Sequence, residues 1–436
     1  MFFLYFSCLK CRLLAKVVSE RKRIHYQEKY QRLIKEIEIH KDYRHFKNKN
    51  KQYTLVANTV PKILIDVSGM IKSFPRVTGI SRTVLSVLNV LLDKGVPGYE
   101  ISPVYMTSCG FRLANKFLKA VWNITDGKDR FFESSPSDIF IGMEHNVRFP
   151  ENEKFFDEMK NTGTRIYFFL YDILPLRFPD YFPDYITENF GQYLRFISKY
   201  DGVITDSKSV AEEYTVWRKN NFYPKNDHFF IRWTHLGSDL QKHYVSTGIP
   251  EDAGKVFDAM AKRMSCLMVS TVEPRKGYRQ ALCAFEYLWA NGFDGNLVIV
   301  GNAGWKMEDF IEKLNHHPER NKRLFWLAGI SDEYLGKLYE KTSGVLMASE
   351  GEGFGLAVIE CTGYGKPLLC RDLPVFWEVA GDNARYFSDD SEIALAVEIK
   401  SWFQSIQNKS VPDSGKIRGI TWERCAFNIV NAVINQ

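Results

Sequence analysis

The stretch Gly344-Val-Leu-Met-Ala-Ser-Glu-Gly-Glu-Gly-Phe-Gly-Leu-Ala-Val-Ile-Glu360 joins a short apolar run, a glycine-rich turn and a second apolar run of helical character. The first run predicts a buried strand and the second predicts a helix. Gly353 and Gly355 let the backbone come close to a ligand, and the free N–H groups where a helix begins favour phosphate oxygens. Glu352 and Glu360 frame this turn, eight residues apart. The segment therefore indicates an α/β fold that binds a ligand at the carboxyl end of a strand.

The same alternation of strand and helix patterns extends to both sides of this stretch, from Pro61 onward. Such alternation predicts parallel sheets covered by helices on both faces. The predicted strands are Lys62–Val67, Asp138–Met143, Arg165–Leu170, Gly202–Asp206, Cys266–Thr271, Asn296–Val300, Leu324–Leu327 and Gly344–Ala348. The predicted helices are Thr78–Leu92, Tyr185–Ser198, Lys208–Lys219, Tyr278–Ala290 and Asp332–Lys341. The polar stretch 237–262 predicts a connection between two domains, followed by an entry helix.

The length and charge of the chain bear on its number of domains and on its partners. A chain of 436 residues favours two domains over one hydrophobic core. No run in it approaches the ~20 apolar residues of a membrane-spanning helix. Residues 1–58 hold 14 Lys and Arg against 5 Asp and Glu, whereas the remaining chain holds 44 against 47. This distribution argues against a core that binds nucleic acid and favours a separate role for the N-terminal extension.

The extension, residues 1–58, has the pattern of a basic amphipathic helix. Tyr30, Leu33, Ile34 and Ile37 recur at helical spacing among charged residues. One interpretation is a helix that lies on anionic lipid, with aromatic residues in the headgroup boundary. The other is a solvated basic helix that packs on the body of the protein or on a partner.

Two further loops follow predicted strands. In Ser270-Thr-Val-Glu-Pro-Arg-Lys-Gly277, the neighbouring cations Arg275 and Lys276 suit a diphosphate, although an ordinary exposed basic pair is the alternative. The turn Gly301-Asn-Ala-Gly304 permits close approach of a ligand and is equally consistent with a simple turn.

The sequence resembles a known family over roughly residues 60–436. Glu352-Gly-Phe-Gly-Leu-Ala-Val-Ile-Glu360 matches the Glu-x7-Glu signature of retaining glycosyltransferase family 4, and Glu273-Pro-Arg-Lys276 resembles that family's donor-diphosphate loop. Val77-Thr-Gly-Ile-Ser-Arg82 and Tyr171-Asp-Ile-Leu-Pro-Leu-Arg-Phe-Pro179 resemble a branch that contains bacterial polysaccharide mannosyltransferases. Thr421-Trp-Glu-Arg424 and the helix after it are similar to the closing segment of the GT-B fold.

The resemblance implies an α/β GT-B fold, with two Rossmann-like doubly wound domains facing a cleft and a basic helical N-terminal extension. The expected parts are the extension 1–58, an acceptor-side domain 59–240, a donor-binding domain 241–415, and a helix 416–436 that crosses back to the first domain.

Roles on the donor side follow from the same resemblance. Arg275 and Lys276 would neutralise the donor diphosphate and the charge that develops as it leaves. Glu360 would bind ribose hydroxyls, and Glu352 would bind hydroxyls of the donor sugar and stabilise its oxocarbenium-like face. The sugar and phosphate would also be held by backbone amides around Gly353, Phe354 and Gly355.

On the acceptor side the implied roles are less definite. Gly79 would begin a glycine loop beneath the donor, with Arg82 nearby. Asp172 and His145 are the candidates for an acceptor contact or a proton acceptor, and a core histidine is an equal interpretation of His145. Many family members carry His where this chain has Tyr171, so the role of Asp172 stays open.

The function implied is transfer of a hexose, with mannose favoured, from a nucleotide-sugar to a lipid-linked or growing surface polysaccharide such as O-antigen or capsule. The anomeric configuration would be retained, and the leaving phosphate would accept the proton of the acceptor. No Asp-x-Asp occurs in the sequence, so neither a metal nor another cofactor is expected beside the nucleotide-sugar, with GDP-mannose favoured over UDP-sugars.

The expected partners are the nucleotide-sugar, a lipid-linked saccharide and other polysaccharide assembly proteins, and not nucleic acid. The expected location is the cytoplasmic face of the inner membrane, reached through residues 1–58. Two alternatives are a non-catalytic GT-B scaffold and a nucleotide-sugar epimerase. The intact Arg275, Lys276, Glu352 and Glu360 argue against a scaffold, and the glutamate pair framing Gly-Phe-Gly fits transfer better than epimerisation.

Overall fold

The computed structural model describes residues 4, 7–8, 10–11, 20–50, 60–74, 79–221, 228–239 and 246–436. Most of residues 1–19 and the first two residues of the Val77–Arg82 motif lie outside this description. The chain divides into two compact units. The first comprises Met1–Leu85 and Leu91–Phe168, and the second comprises Ser86–Val90 and Phe169–Gln436.

The elements of the described residues follow the expected alternation of strands and helices. The strands are β1 Lys62–Asp66, β2 Glu100–Thr107, β3 Gly110–Leu113, β4 Ile139–Gly142, β5 Arg165–Leu170, β6 Gly202–Thr205, β7 Phe230–Trp233, β8 Ser265–Val269, β9 Asn296–Val300, β10 Leu324–Leu327, β11 Gly344–Met347, β12 Leu368–Arg371 and β13 Arg385–Phe387. The helices are α1 Glu20–Asn50, α2 Ser68–Ser73, α3 Gly79–Lys94, α4 Asn115–Trp122, α5 Glu153–Asn161, α6 Leu174–Arg177, α7 Asp184–Ile197, α8 Lys208–Asn221, α9 Ala253–Lys262, α10 Tyr278–Ala290, α11 Glu308–His316, α12 Asp332–Lys341, α13 Leu356–Thr362, α14 Pro374–Ala380, α15 Glu392–Gln407 and α16 Trp422–Ile434.

In the first unit the neighbouring strands run β3-β2-β1-β4-β5. All of these pairs are parallel except β2 with β3, which form an antiparallel hairpin. The sequence did not predict this hairpin, because Pro103 interrupts β2 and proline usually marks the edge or end of a strand. Pro103 is tolerated in the ladder opposite Ile65 of β1.

The second unit contains the parallel pair β6-β7 and a six-stranded parallel sheet in the order β10-β9-β8-β11-β12-β13. From β8 the chain builds outward to β9 and β10, and from β11 it builds the other way to β12 and β13. The order in which strands are added therefore reverses between β8 and β11, and we call this place the reversal point. The two strands pair directly, with Cys266 opposite Gly344. In open α/β sheets, ligands bind beyond the carboxyl ends of the strands at such a reversal.

Local sequence explains where several helices begin. Ser331, Ser391 and Thr421 each accept a hydrogen bond from a backbone N–H of the first turn of the following helix, as N-cap residues do. The core of the six-stranded sheet is apolar and closely packed, with Trp402 of α15 and Phe285 of α10 fully buried. Burial of side chains of this size contributes ~1.5–3 kcal/mol each.

The basic helix α1 packs on the first unit. Its residue Ile39 forms a small apolar cluster with Cys109 and Phe131, joined by Tyr43 and Phe46. The cluster lies beside polar contacts that include a hydrogen bond of 3.2 Å between Cys109 Sγ and His40 Nδ1 and an ion pair of 3.0 Å between Arg112 and Asp42. This arrangement is the one expected of a helix that packs on the body of the protein.

The apolar residues that suggested a lipid-facing helix are therefore partly buried within the protein. Ile37, one of its four members, is only 3% exposed, whereas the side chains of Lys29, Arg32 and Lys35 are exposed. Within the described residues, none of the helices has the length and apolar character needed to cross a membrane.

Candidate active site

The loops after β8 and β11 meet at the reversal point of the second sheet. The amide of Glu350 donates a hydrogen bond of 2.8 Å to the carbonyl of Arg275. Gly277, at φ +70°, immediately precedes α10, and an added Cβ would lie 2.2 Å from the carbonyl oxygen of Ala348, the residue after β11. The two predicted ligand loops are therefore in contact, and a glycine is required where they meet.

The side chains of these loops form one charged cluster, which we call the Arg-Lys-Glu cluster: Arg275, Lys276 and Glu352. Lys276 Nζ donates to Glu352 Oε1 at 2.5 Å and Arg275 Nη1 donates to Glu352 Oε2 at 3.3 Å. Ser349 Oγ also donates to Oε1 of the same carboxylate, at 2.7 Å. Glu273 adds an ion-pair contact of 3.4 Å to Arg275. Both oxygens of Glu352 thus have partners, and this carboxylate fixes the positions of two adjacent cations.

The electrostatics of the cluster keep it charged although it is buried. Burial alone would raise the pKa of Glu352, but Lys276 and Arg275 lower it to about 2. Burial, followed by the charge of Arg275, lowers the pKa of Lys276. For Arg275 the carboxylates of Glu352 and Glu273 outweigh burial, and the pKa is raised. Arg275 Nε is buried and has no hydrogen-bond partner among the described residues. The cluster therefore retains an unused donor.

The glycine turn of the opening stretch lies against the residues that follow β5 and β6. A Cβ on Gly353 would lie 1.9 Å from the carbonyl oxygen of Tyr171. The carbonyl of Gly353 accepts a hydrogen bond of 2.7 Å from Ser207 Oγ. Gly355 adopts φ +83°, a left-handed conformation that favours glycine. Only a residue without a side chain fits at position 353, which explains the glycine in physical terms.

Asp172 follows Tyr171, whose carbonyl lies against Gly353, and so lies near the glycine turn. Its Oδ1 accepts a hydrogen bond of 3.0 Å from the amide of Leu174, and its negative charge acts on Arg275. Asp206, which is fully buried, has a pKa raised first by burial and then by the charge of Asp172. The structure therefore places Asp172 in the electrostatic surroundings of the Arg-Lys-Glu cluster.

The remaining predicted donor residues lie on the turn and on α13. Phe354 is buried, with its ring 5.3 Å from the ring of His235. Glu360 lies on α13, where its Oε2 accepts a hydrogen bond of 3.3 Å from Tyr339 Oη. The Tyr339 ring in turn stacks on Tyr364, with centroids 5.2 Å apart.

Three predicted residues belong to the first unit. Gly79 is the first residue of α3, and Arg82 lies in its first turn with an exposed side chain. His145 follows β4 by three residues and lines a cavity of about 270 Å³ together with Glu144 and Lys72.

Several residues that the sequence patterns did not single out also support the site. Glu378 accepts hydrogen bonds from the amides of Lys208 and Ser209 at the start of α8 and lies 2.8 Å from His235 Nε2. Burial acts to raise the pKa of Glu378, yet hydrogen bonds from His235, Ser209 and the two amides lower it. Tyr181 Oη donates to Glu350 at 2.6 Å. These contacts join segments more than 100 residues apart, so no local motif reveals them.

The chain has recognisable relatives. Residues 256–410 match the family model "Glycosyl transferases group 1". The chain is 39% identical over 371 residues to the serotype-specific mannosyltransferase WbdA of Escherichia coli, an alignment that covers 84% of this chain and 44% of WbdA. It is 30% identical over 174 residues to the O-antigen chain mannosyltransferase B of Escherichia coli, covering 38% of this chain and 44% of that protein. The chain thus spans less than half the length of these relatives.

Solved structures with this fold share little sequence with the chain. The Anabaena protein Alr3699/HepE, solved in complex with UDP and glucose, has a TM-score of 0.57 at 14% identity and covers 86% of this chain and 100% of its own. A glycosyltransferase from Rickettsia africae has a TM-score of 0.54 at 16% identity, covering 87% of this chain and 96% of its own. The expectation of a GT-B fold with two Rossmann-like domains is confirmed. The segment that matches the group 1 glycosyl transferases, residues 256–410, contains the Arg-Lys-Glu cluster.

Proposed function

We propose that this chain is a retaining mannosyltransferase that moves mannose from GDP-mannose to a saccharide acceptor. One observation carries the proposal: Arg275, Lys276 and Glu352 form a single buried cluster at the reversal point of the second sheet. The choice of mannose over other hexoses is supported by the relatives, which are described as mannosyltransferases.

The two cations of the cluster are suited to a diphosphate. Arg275 has an unused Nε donor, and the Lys276 ammonium donates to Glu352. Both cations can therefore donate to phosphate oxygens while Glu352 keeps them in place. In a buried site such donors are already oriented, and they stabilise the negative charge that develops on the leaving diphosphate. The cations take the part that a metal ion plays in many diphosphate sites, so we expect transfer without a divalent metal.

The sugar and nucleoside would be held by the turn and by α13. Amides of Gly353, Phe354 and Gly355 would donate to the sugar and the phosphate. Glu352 would accept from sugar hydroxyls and stabilise the oxocarbenium-like transition state, and Glu360 would accept from the ribose. A carboxylate accepts hydrogen bonds from two neighbouring hydroxyls, which suits both roles. Retention follows if the departing phosphate accepts the proton of the acceptor on the face from which it leaves.

On the acceptor side we assign Asp172 and His145 as candidates for contacting the acceptor or its proton, with Gly79 beneath the donor and Arg82 beside the acceptor. The acceptor would be a lipid-linked or growing surface polysaccharide. The exposed cations of α1 would bring the chain to the anionic inner leaflet, where such an acceptor is held. The domain limits proposed for these functions are 59–240 for the acceptor side, 241–415 for the donor side and 416–436 for the closing helix.

The donor is tested by screening nucleotide-sugars for thermal stabilisation and for hydrolysis. We expect GDP-mannose and GDP to raise the melting temperature of the wild type more than UDP-glucose or UDP does. Lys276→Ala should lose this shift while Lys262→Ala, an exposed lysine of α9, keeps it. A scaffold would show no stabilisation by any donor, and a larger shift with a UDP-sugar would overturn the choice of GDP-mannose.

A further inference from the structure

The first unit carries a buried pair of carboxyl groups at its own reversal point. Its strands lie in the order β3-β2-β1-β4-β5. The order in which strands are added reverses between β1 and β4, which are parallel neighbours. Asp66 is the last residue of β1, and Glu144 lies two residues beyond the end of β4. The carboxyl ends of two neighbouring strands thus place two acids together, in the kind of position where α/β sheets bind ligands.

Both acids accept hydrogen bonds at the beginning of α2. Asp66 Oδ1 accepts from Ser68 Oγ at 2.5 Å and from the Ser68 amide at 3.3 Å. Glu144 Oε2 accepts from the amide of Gly69 at 2.5 Å. A Cβ on Gly69 would lie 2.9–3.0 Å from the Glu144 carboxylate oxygens, so the glycine makes room for this side chain.

Burial of Asp66 and Glu144 destabilises the folded protein. Asp66 is fully buried, and its Oδ2 has no hydrogen-bond partner among the described residues. Burial and then the charge of Glu144 raise the pKa of Asp66 well above its usual range. Burial raises the pKa of Glu144 to about 7, against the opposing effects of the Gly69 and Met70 amides and of Lys72. Burial and the charge of Glu144 thus both oppose ionisation of Asp66.

Glu144 has surroundings beyond its contacts to α2. Glu144 also borders the cavity of about 270 Å³, whose other lining residues are Gly69, Lys72, Ile80, Ser81, His145 and Asn146. This lining offers a cation, a hydroxyl, an imidazole, an amide and a carboxyl group around one small space. The volume is near the lower limit of ~300 Å³ for small-molecule pockets and suits a single monosaccharide unit better than a nucleotide.

We propose that this cavity binds the terminal saccharide unit of the acceptor, with Glu144 accepting hydrogen bonds from two neighbouring hydroxyls. Asp66 is the more deeply buried of the two, so Glu144 is the carboxyl group that faces the cavity. Lys72 supplies the compensating charge at the cavity wall. The assignment rests on the proposed function, because it identifies the site for the saccharide substrate of that reaction.

The test uses the full chain, GDP-mannose as donor and octyl α-mannoside as the acceptor probe. Glu144→Gln keeps the shape of the side chain but presents an amide where the carboxylate was. We expect it to raise the KM for octyl α-mannoside at least tenfold and to leave the KM for GDP-mannose unchanged. Its melting temperature should stay equal to that of the wild type or rise, because a buried like-charge pair is relieved. Glu151→Gln, which changes an exposed acid of the same unit, should change none of these values.

Gly69→Ala is the second variant, because its methyl group displaces the Glu144 carboxylate without removing it. It should raise the KM for octyl α-mannoside as well. An acceptor KM within twofold of wild type in both variants overturns the proposal. So does a lowered melting temperature of Glu144→Gln with an unchanged acceptor KM, since that result indicates a purely structural role at α2.

A binding measurement separates this proposal from the proposed function. Saturation-transfer NMR of octyl α-mannoside, recorded without donor, should show contact with the wild type and with Glu151→Gln and a loss of at least tenfold in affinity for Glu144→Gln. Equal binding by all three overturns the saccharide site. Absence of GDP-mannose turnover with this binding difference intact contradicts the donor assignment alone.

Discussion

At the scale of single residues, Glu352 has the central position in the candidate site, because its two oxygens fix Arg275 and Lys276. Glu352→Gln should reduce transfer by ~100-fold or more, the usual effect of removing one oriented charged group from an active site. The matched control is Glu312→Gln, an exposed acid of α11, which should retain full activity. Activity of Glu352→Gln within threefold of wild type would remove this residue from the mechanism.

The low pKa of Glu352 predicts how stability depends on pH. Because the folded protein holds this pKa at about 2 and the ordinary value is 4.5, the ionised group stabilises the fold fully above pH 4.5. That contribution is lost as the pH falls from about 4.5 toward 2. Urea unfolding of wild type and Glu352→Gln should therefore show a difference in free energy at pH 6 that shrinks at pH 3. A difference that is constant across this range would show that Glu352 is not ionised in the fold.

The same cluster shows what sequence could and could not reveal about single residues. The adjacent cations and the framed glutamates were found because they stand in contiguous motifs. Glu144, His235 and Glu378 were missed because each acts through a partner that lies far away along the chain. Asp66 was missed because its electrostatic partner, Glu144, is equally distant in sequence. Asp172 was found only through a resemblance, and no sequence pattern indicated its closeness to Arg275.

At the scale of elements, the turn between β11 and α13 depends on a glycine at position 353. Gly353→Ala would force its Cβ against the carbonyl of Tyr171, so we expect a loss of ~1–3 kcal/mol of stability, as in overpacked sites, together with loss of donor binding. Gly363→Ala is the control. Its Cβ would meet nothing closer than 3.6 Å, and its φ of −59° suits any residue, so it should be neutral or stabilise by ~0.4–1 kcal/mol. Equal melting temperatures and equal GDP affinities for the two variants would contradict this account of the turn.

Helix α1 is a second element whose role is testable. Ile39→Ala removes buried atoms from the contact with Cys109 and Phe131 and should cost ~2 kcal/mol or more of stability. Glu38→Ala, on the exposed side of the same helix, should have little effect. Unchanged unfolding of Ile39→Ala in urea would mean that α1 does not pack on the first unit in solution.

Prediction of the elements succeeded where apolar periodicity was strong. Arg165–Leu170, Asn296–Val300, Leu324–Leu327, Tyr278–Ala290 and Asp332–Lys341 were predicted with the observed limits. The hairpin of β2 and β3 was missed because Pro103 and polar residues hide its alternation. Strands β7, β12 and β13 were missed because each is short and contains an arginine, which leaves an apolar run of only two or three residues.

At the scale of the whole molecule, the exposed cations of α1 predict binding to anionic membranes. Lys29→Glu combined with Arg32→Glu and Lys35→Glu reverses three exposed charges and leaves the buried face of the helix intact. This variant should lose binding to liposomes that contain phosphatidylglycerol while keeping its melting temperature, since each basic residue contributes ~1 kcal/mol near such a surface. Sedimentation with liposomes provides the measurement. Undiminished binding would assign α1 to packing alone.

For the whole chain we propose that mannose is transferred from GDP-mannose with retention, at the Arg-Lys-Glu cluster. The most direct measurement is NMR of the product formed from GDP-mannose and octyl α-mannoside by wild type, Lys276→Ala and the control Lys262→Ala. We predict an α-linked mannosyl product from the wild type and from Lys262→Ala, and a loss of at least 100-fold in rate for Lys276→Ala. A β-linked product, or equal rates for all three proteins, would contradict the account.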